Sequence, residues 1–283
     1  MIAYVDGKFQ DPREATIPFL DRGFLFGDGI YETLRTYNRR PHRVELHLER
    51  FRRSASALAI PFQVSDDELT RIILEGIASV AAPSEVVARI WITRGPGLAE
   101  YDPGAGPCDP RLYALFRSLT PPPESIYLDG VDAGTLREDK PHALYQVKTT
   151  AAVPQILALM RARNKDLFEV IRVNNLGDVT EGSRSNLFMV REGQVITPRL
   201  SDGLLDGITR RLVVETLSSQ DRTVEEATVP LDALMQADEV FLTRTTVGVV
   251  PVVRIDDTTI GTGRPGPITT NLIEVFKSWG RET

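Results

Sequence analysis

Apolar and polar residues alternate around Asp6-Gly7, with Ile2, Tyr4 and Val5 before the turn and Phe9 after it, a pattern that predicts an opening β-hairpin. After a glycine-rich loop from Gly23 to Gly29, residues 30–37 read as a strand. Between 45 and 59, Leu48, Phe51, Ala55 and Leu58 recur at helical spacing. Ser65-Asp-Asp-Glu68 has the form of a capping box and predicts a second helix that buries Leu69, Ile72, Ile73, Ile77 and Val80. Strands at 86–93 and 111–119 complete an α+β half.

Pro121-Pro-Pro123 removes three backbone donors and favours extended chain, so it reads as a domain boundary. The expected division is an N-terminal α+β domain over 1–119, a proline-rich linker over 120–125 and a C-terminal domain over 126–283. Beyond the linker the pattern is strand-rich, with strands at 129–136, 169–173, 186–190, 239–243 and 248–255 and a turn at Glu192-Gly193. Helices are expected at 153–162, 209–219, 231–235 and 269–279. No internal repeat or low-complexity segment is present.

Composition narrows the function. The 283 residues are 42% hydrophobic and 25% charged, as in an ordinary globular protein. A formal charge of -6 without a dense Lys/Arg run argues against nucleic acid or an anionic membrane surface and for small-molecule partners. Cys108 is the single cysteine, so no internal disulfide and no cysteine-based metal site is expected. His42, His47 and His142 are too scattered for a metal triad, and no metal is expected. Without a basic and apolar leader pattern or a bilayer-length apolar run, the expected location is the cytoplasm.

Three segments carry candidate chemistry. Lys148, in Lys148-Thr-Thr, follows Leu144-Tyr-Gln-Val147 and precedes an apolar helix; it is either an exposed lysine between elements or an amine at an inward-facing strand end. A buried amine near other cations deprotonates more easily and can then attack a carbonyl. Glu181, after the turn Asn175-Leu-Gly-Asp178 and before the apolar run Leu187-Phe-Met-Val190, is either a turn residue or a partner for a buried cation. Gly207-Ile-Thr-Arg210 opens a helix whose first N–H groups either take an ordinary cap or cradle an anion, and Thr243-Arg-Thr-Thr246 adds hydroxyls. A lysine for an aldehyde, a carboxylate for a ring nitrogen and N–H groups for a phosphate are the parts that pyridoxal phosphate needs. Gly27-Asp-Gly29 is not a dinucleotide fingerprint, because the residues after it read as a strand.

With these segments in this order, the chain resembles the fold-type IV pyridoxal phosphate enzymes, the class IV aminotransferases, a group that includes D-amino acid aminotransferases, branched-chain aminotransferases and aminodeoxychorismate lyases. The resemblance rests on residues 21–32, His47-Leu-Glu-Arg50, Thr93-Arg-Gly95, Lys148-Thr149, residues 181–186, Gly207-Ile-Thr-Arg210 and residues 237–243. It implies an α+β, two-domain fold with a smaller N-terminal domain and a larger, strand-rich C-terminal domain that binds the cofactor. It also implies that Lys148 is the Schiff-base lysine and proton carrier and that Glu181 pairs with the pyridine nitrogen. Arg50 would bind the phosphate with Ile208, Thr209, Thr245 and Thr246, while Tyr31 and Arg35 would face the substrate. A homodimer with shared active sites is implied as well.

The chain departs from the family pattern near the substrate. Ala151 and Ala152 stand where the family usually has Asn and then Tyr or Leu, so a hydroxyl beside the cofactor is missing, as in D-amino acid aminotransferases. The Arg-x-His pair of the D-amino acid enzymes is absent from residues 96–101. The Tyr-x-Arg motif of the branched-chain enzymes becomes Val87-Ala-Arg89. Arg89 and Arg244 are therefore the candidates for the substrate carboxylate, which arginine grips through two parallel hydrogen bonds. The expected reaction moves an amino group from a D-amino acid such as D-alanine or D-glutamate to 2-oxoglutarate or pyruvate. The alternatives are an L-branched-chain aminotransferase and an aminodeoxychorismate lyase.

Overall fold

The computed structural model describes residues 1–105, 108–138 and 145–280; His142 and Leu144 lie outside the described residues. The chain divides into two compact units, one of Met1–Thr120 with Val147–Ala152 and the other of Pro121–Gln146 with Val153–Thr283. The proline run begins the second unit. Val147–Ala152 belongs with the first, although the sequence reading groups it with the C-terminal domain.

The first unit contains β1 (Ile2–Val5), β2 (Lys8–Gln10), α1 (Arg22–Phe26), β3 (Gly29–Tyr37), β4 (Arg40–Pro41), α2 (Val44–Ala57), α3 (Asp66–Ala78), β5 (Val86–Thr93) and β6 (Arg111–Ser118). Its sheet runs β2-β1-β6-β5-β3-β4, all antiparallel. Ile30, Leu34, Ala88, Ile90, Ile92, Ala114 and Phe116 project from one face, where the apolar stripes of α2 and α3 cover them. Each fully buried Ile, Leu or Phe here contributes about 1.5–3 kcal/mol. Ser65 caps α3 as its spacing predicts, its hydroxyl accepting from the Glu68 amide. The other face of β3 and β5 carries Tyr31, Thr33, Arg35, Val87, Arg89 and Trp91, brought side by side by the register.

The second unit contains α4 (Ser125–Leu128), β7 (Val131–Arg137), α5 (Val153–Asn164), β8 (Glu169–Val173), β9 (Asp178–Gly182), β10 (Asn186–Arg191), β11 (Gln194–Pro198), α6 (Ile208–Ser218), β12 (Val224–Ala227), β13 (Val229–Pro230), α7 (Leu231–Met235), β14 (Glu239–Arg244), β15 (Gly248–Ile255), β16 (Thr258–Thr259) and α8 (Pro267–Ser278). Its sheet runs β12-β11-β10-β14-β15-β7-β8-β9-β13, with β16 on β15. The β15–β7, β7–β8 and β11–β12 pairs are parallel. One core gathers Ile171, Val173, Val179, Leu187, Met189, Val240, Leu242 and Val250. Phe188 and Phe241, opposite one another in the register, stack at 4.9 Å.

The helices predicted in this half form within a few residues of their expected bounds, whereas β9, β11 and β12 were not expected as strands. β9 and β12 are short and largely polar, so pairing rather than intrinsic preference makes them strands, whereas β11 carries the strand-favouring run Val195-Ile-Thr197. Among the described residues, no helix is long and apolar enough to cross a membrane.

Candidate active site

Lys148 does not end a strand; it lies in an irregular segment fixed along one edge of β3. Strand β4 pairs only with Thr36 and Tyr37, which leaves the start of β3 open on that side. The Lys148 carbonyl accepts from the Tyr31 amide at 2.8 Å, and the Thr150 amide donates to Gly29 O at 2.9 Å. The hydroxyls of Thr149 and Thr150 donate to Gly29 O at 3.1 Å each, and that of Thr150 also donates to Gly27 O at 2.8 Å. Gly27 ends α1 at φ 68°, a conformation that favours glycine, and a Cβ there would sit 3.1 Å from Ala151 Cα. The Lys148 amine is half-buried, 4.7 Å from the centre of the Tyr31 ring, and pairs with no carboxylate among the described residues. An amine so placed is available to a carbonyl group.

Arg89 shares this face. Its guanidinium lies 5.4 Å from the Tyr31 ring centre and 5.9 Å from that of Trp91, and Nε donates to Thr33 Oγ1 at 3.3 Å. It is exposed and without a carboxylate partner among the described residues. Arg35 is instead turned along the strand, stacked 4.0 Å over Tyr37 and donating to Thr36 O.

Arg50 projects from α2 to the opposite face of β3. Nε and Nη2 donate to the two carboxylate oxygens of Glu32 at 2.6 and 2.9 Å, and His47 Nδ1 lies 2.8 Å from Glu32 Oε2. Glu32 is fully buried, which by itself would raise its pKa; Arg50 and the His47 hydrogen bond outweigh burial and hold the carboxyl well below the usual range. Burial pushes His47 down, so the neutral ring donates from Nδ1. His47 and Arg50 both lie on α2. Glu32 is a site residue that the sequence reading did not single out, although its inward position between Ile30 and Leu34 is a legible signal.

In the second unit, Glu181 is on β9, where the register shifts between the Ile171–Gly182 and Val173–Val179 pairs. Thr180 and Glu181 together oppose Arg172, as in a β-bulge, which turns Glu181 out of the core face that holds Val179. Its buried carboxylate accepts from the Leu205 amide at 3.0 Å, and Asn186 Nδ2 donates to Leu205 O at 2.7 Å. Helix α6 starts at Gly207 with no side-chain cap and no acidic residue in its first turn, and Ile208 and Thr209 are buried. A Cβ on Gly207 would meet Asn186 Oδ1 at 1.9 Å, so a larger residue would displace the Asn186 side chain. Such a helix start, with unpaired N–H groups and its dipole, suits a phosphate.

Thr245 and Thr246 form the half-buried turn between β14 and β15. Arg244 packs over Phe168 at 5.7 Å, and burial together with nearby Arg184 lowers its pKa to about 10. The amine of Lys148, the anchored carboxylate of Glu181 and the uncapped start of α6 are respectively suited to the aldehyde, ring nitrogen and phosphate of pyridoxal phosphate.

The family described as amino-transferase class IV matches residues 29–255. A D-alanine aminotransferase of Bacillus licheniformis is 32% identical over 267 residues, covering 94% of this chain and 93% of the relative. A "probable branched-chain-amino-acid aminotransferase" of Thermotoga maritima is 33% identical over 277 residues, covering 98% and 95%. The crystal structure of 4-amino-4-deoxychorismate lyase from Pseudomonas aeruginosa aligns with a TM-score of 0.84 at 28% identity, covering 98% of each chain. The chain belongs to the class IV aminotransferases, pyridoxal phosphate-dependent enzymes that exchange amino groups between amino acids and 2-oxo acids.

Proposed function

We propose that this aminotransferase takes small or acidic D-amino acids, such as D-alanine or D-glutamate, as donors and 2-oxoglutarate or pyruvate as acceptor. Arg89 carries the reading: an exposed guanidinium without a carboxylate partner among the described residues shares the Tyr31 face with the Lys148 amine. The preference for D-amino acids is supported by Val87 in place of the branched-chain tyrosine, by Ala151-Ala152 after the lysine, and by the D-alanine aminotransferase relative.

When bound, pyridoxal phosphate supplies an aldehyde carbon for the amino group and a ring that takes up electrons from the substrate's α-carbon. Lys148 would hold that carbon through its amine and would serve as the base that carries the proton to and from the substrate's α-carbon. Glu181 would accept a hydrogen bond from the ring nitrogen and so favour its protonated form. The amides of Ile208 and Thr209, with Thr245 and Thr246, would hold the phosphate, to which Arg50 would add positive charge. Tyr31 and Arg89 face the substrate, with Arg35 on the same sheet face and Arg244 as a second guanidinium for a carboxylate.

The test is the visible spectrum of the purified holoenzyme after addition of single D- or L-amino acids without an oxo acid. Loss of the cofactor band with D-alanine or D-glutamate supports the proposal. A response to L-leucine alone would make the enzyme a branched-chain aminotransferase, a second reading favoured by the 33% identical relative. Release of pyruvate from an aminated chorismate derivative would instead indicate a lyase. Lys148→Ala should abolish the band and nearly all turnover.

A homodimer is part of this proposal. Val153, Ile156, Leu157 and Met160 recur along one side of α5 at 63, 53, 53 and 56% exposure, an apolar stripe suited to a second copy of the chain. The cytoplasm, where amino and oxo acids are at hand, is the proposed location.

A further inference from the structure

Arg172 on β8 is 1% exposed, yet none of its three guanidinium nitrogens has a hydrogen-bond partner among the described residues. Its nearest carboxylate contact is Glu138 Oε1, 3.7 Å from Nε, and its guanidinium stacks 4.3 Å from the centre of the Tyr145 ring. The Tyr145 hydroxyl donates to Glu138 Oε2 at 2.7 Å, which fixes the ring under the guanidinium. Burying a guanidinium without hydrogen bonds is costly, and a leucine would fill a strand position at less cost. Stability alone therefore does not explain the arginine.

The bulge in β9 indicates what does. With two residues opposing Arg172, Glu181 comes to the face from which Arg172 projects. The Tyr145 phenol is pushed up to about 12, first by burial and then by its bond to Glu138; the charge of Glu181 adds to this and Arg172 opposes it. Glu138, Tyr145, Arg172 and Glu181 thus form one electrostatic group drawn from β8, β9 and the chain on either side of residues 139–144.

We propose that Arg172, held by Tyr145 and Glu138, is a positioning residue for Glu181, a fixed cation that holds this carboxylate aimed at the cofactor's ring nitrogen. The proposal rests on the role assigned to Glu181 above. Arg172 acts through Glu181 and touches neither substrate nor cofactor.

The test is a double-mutant cycle on the holoenzyme with Arg172→Leu and Glu181→Gln, reading the dissociation constant for pyridoxal phosphate, kcat and KM, and the melting temperature of the cofactor-free protein. Arg172→Leu should leave melting unchanged or raised, while weakening cofactor retention and lowering kcat by about tenfold with little change in KM. In the Glu181→Gln background the same substitution should have no further effect, and Arg172→Lys should restore part of the loss. Equal losses in both backgrounds, or none in either, would overturn the proposal. If Glu181→Gln alone changes nothing, the role of Glu181 falls, and this proposal with it. Should Arg172→Leu fail to fold, Tyr145→Leu takes its place in the cycle and is expected to show the same dependence on Glu181; independence would overturn the proposal.

Discussion

Glu32→Gln probes the buried ion cluster between β3 and α2. The carboxylate is fully buried and Arg50 is 3% exposed, and the pair is bidentate at 2.6 and 2.9 Å. Glutamine keeps the shape and one acceptor oxygen. Its amide nitrogen, however, faces a guanidinium that can only donate, so Arg50 remains charged and loses its counter-charge. Because the change leaves no cavity, the cost is electrostatic: removing one partner of a buried pair costs about 3–5 kcal/mol, a large share of the roughly 5–15 kcal/mol that holds a domain folded. Urea unfolding followed by tryptophan fluorescence and circular dichroism measures it, with Trp91 reporting from the same sheet. Glu32→Leu combined with Arg50→Met removes both charges and should recover most of the stability. A loss under about 1 kcal/mol for Glu32→Gln, the scale of an exposed pair, would refute the reasoning, as would a double variant no more stable than the single. Since the folded Glu32 pKa is depressed, its contribution is present above the ordinary carboxylate pKa and is lost as pH falls through the folded value.

Other consequences are open to direct measurement. Arg89→Ala should raise KM for carboxylate-bearing donors by roughly 10- to 100-fold, the worth of a charge-assisted hydrogen bond; unchanged steady-state constants for every donor would remove Arg89 from the carboxylate site. Burial, then Arg43, lowers the His42 pKa from 6.5 to about 4, so its contribution is present above pH 6.5 and lost as pH falls toward 4. In His42→Gln the pH dependence of the melting temperature should flatten over that window; an identical profile would show that His42 does not contribute. Ile156→Glu with Leu157→Glu on α5 should give a monomer in sedimentation velocity, and an unchanged oligomer would place the interface elsewhere.

The sequence alone determined the features that depend on local pattern. Periodic apolar residues specify α2, α3 and the strands of the first sheet, Ser65 caps α3, and the ordered lysine, carboxylate and glycine-threonine segments point to the family. The same local logic missed β9, because Asp178-Val-Thr-Glu-Gly182 lacks an apolar run and becomes a strand only by pairing with β8 and β13. It also leaves Lys148 as either an exposed lysine between elements or an amine at a strand end, whereas long-range hydrogen bonds from residues 148–150 to β3 and to the end of α1 fix the lysine. Tertiary structure alone decided the partners of the buried charges: Arg50 with Glu32, and Arg172 with Tyr145 and Glu138. Burial and hydrogen bonding depend on residues distant in the chain that only the folded sheet brings together, so neither composition nor periodicity can record them.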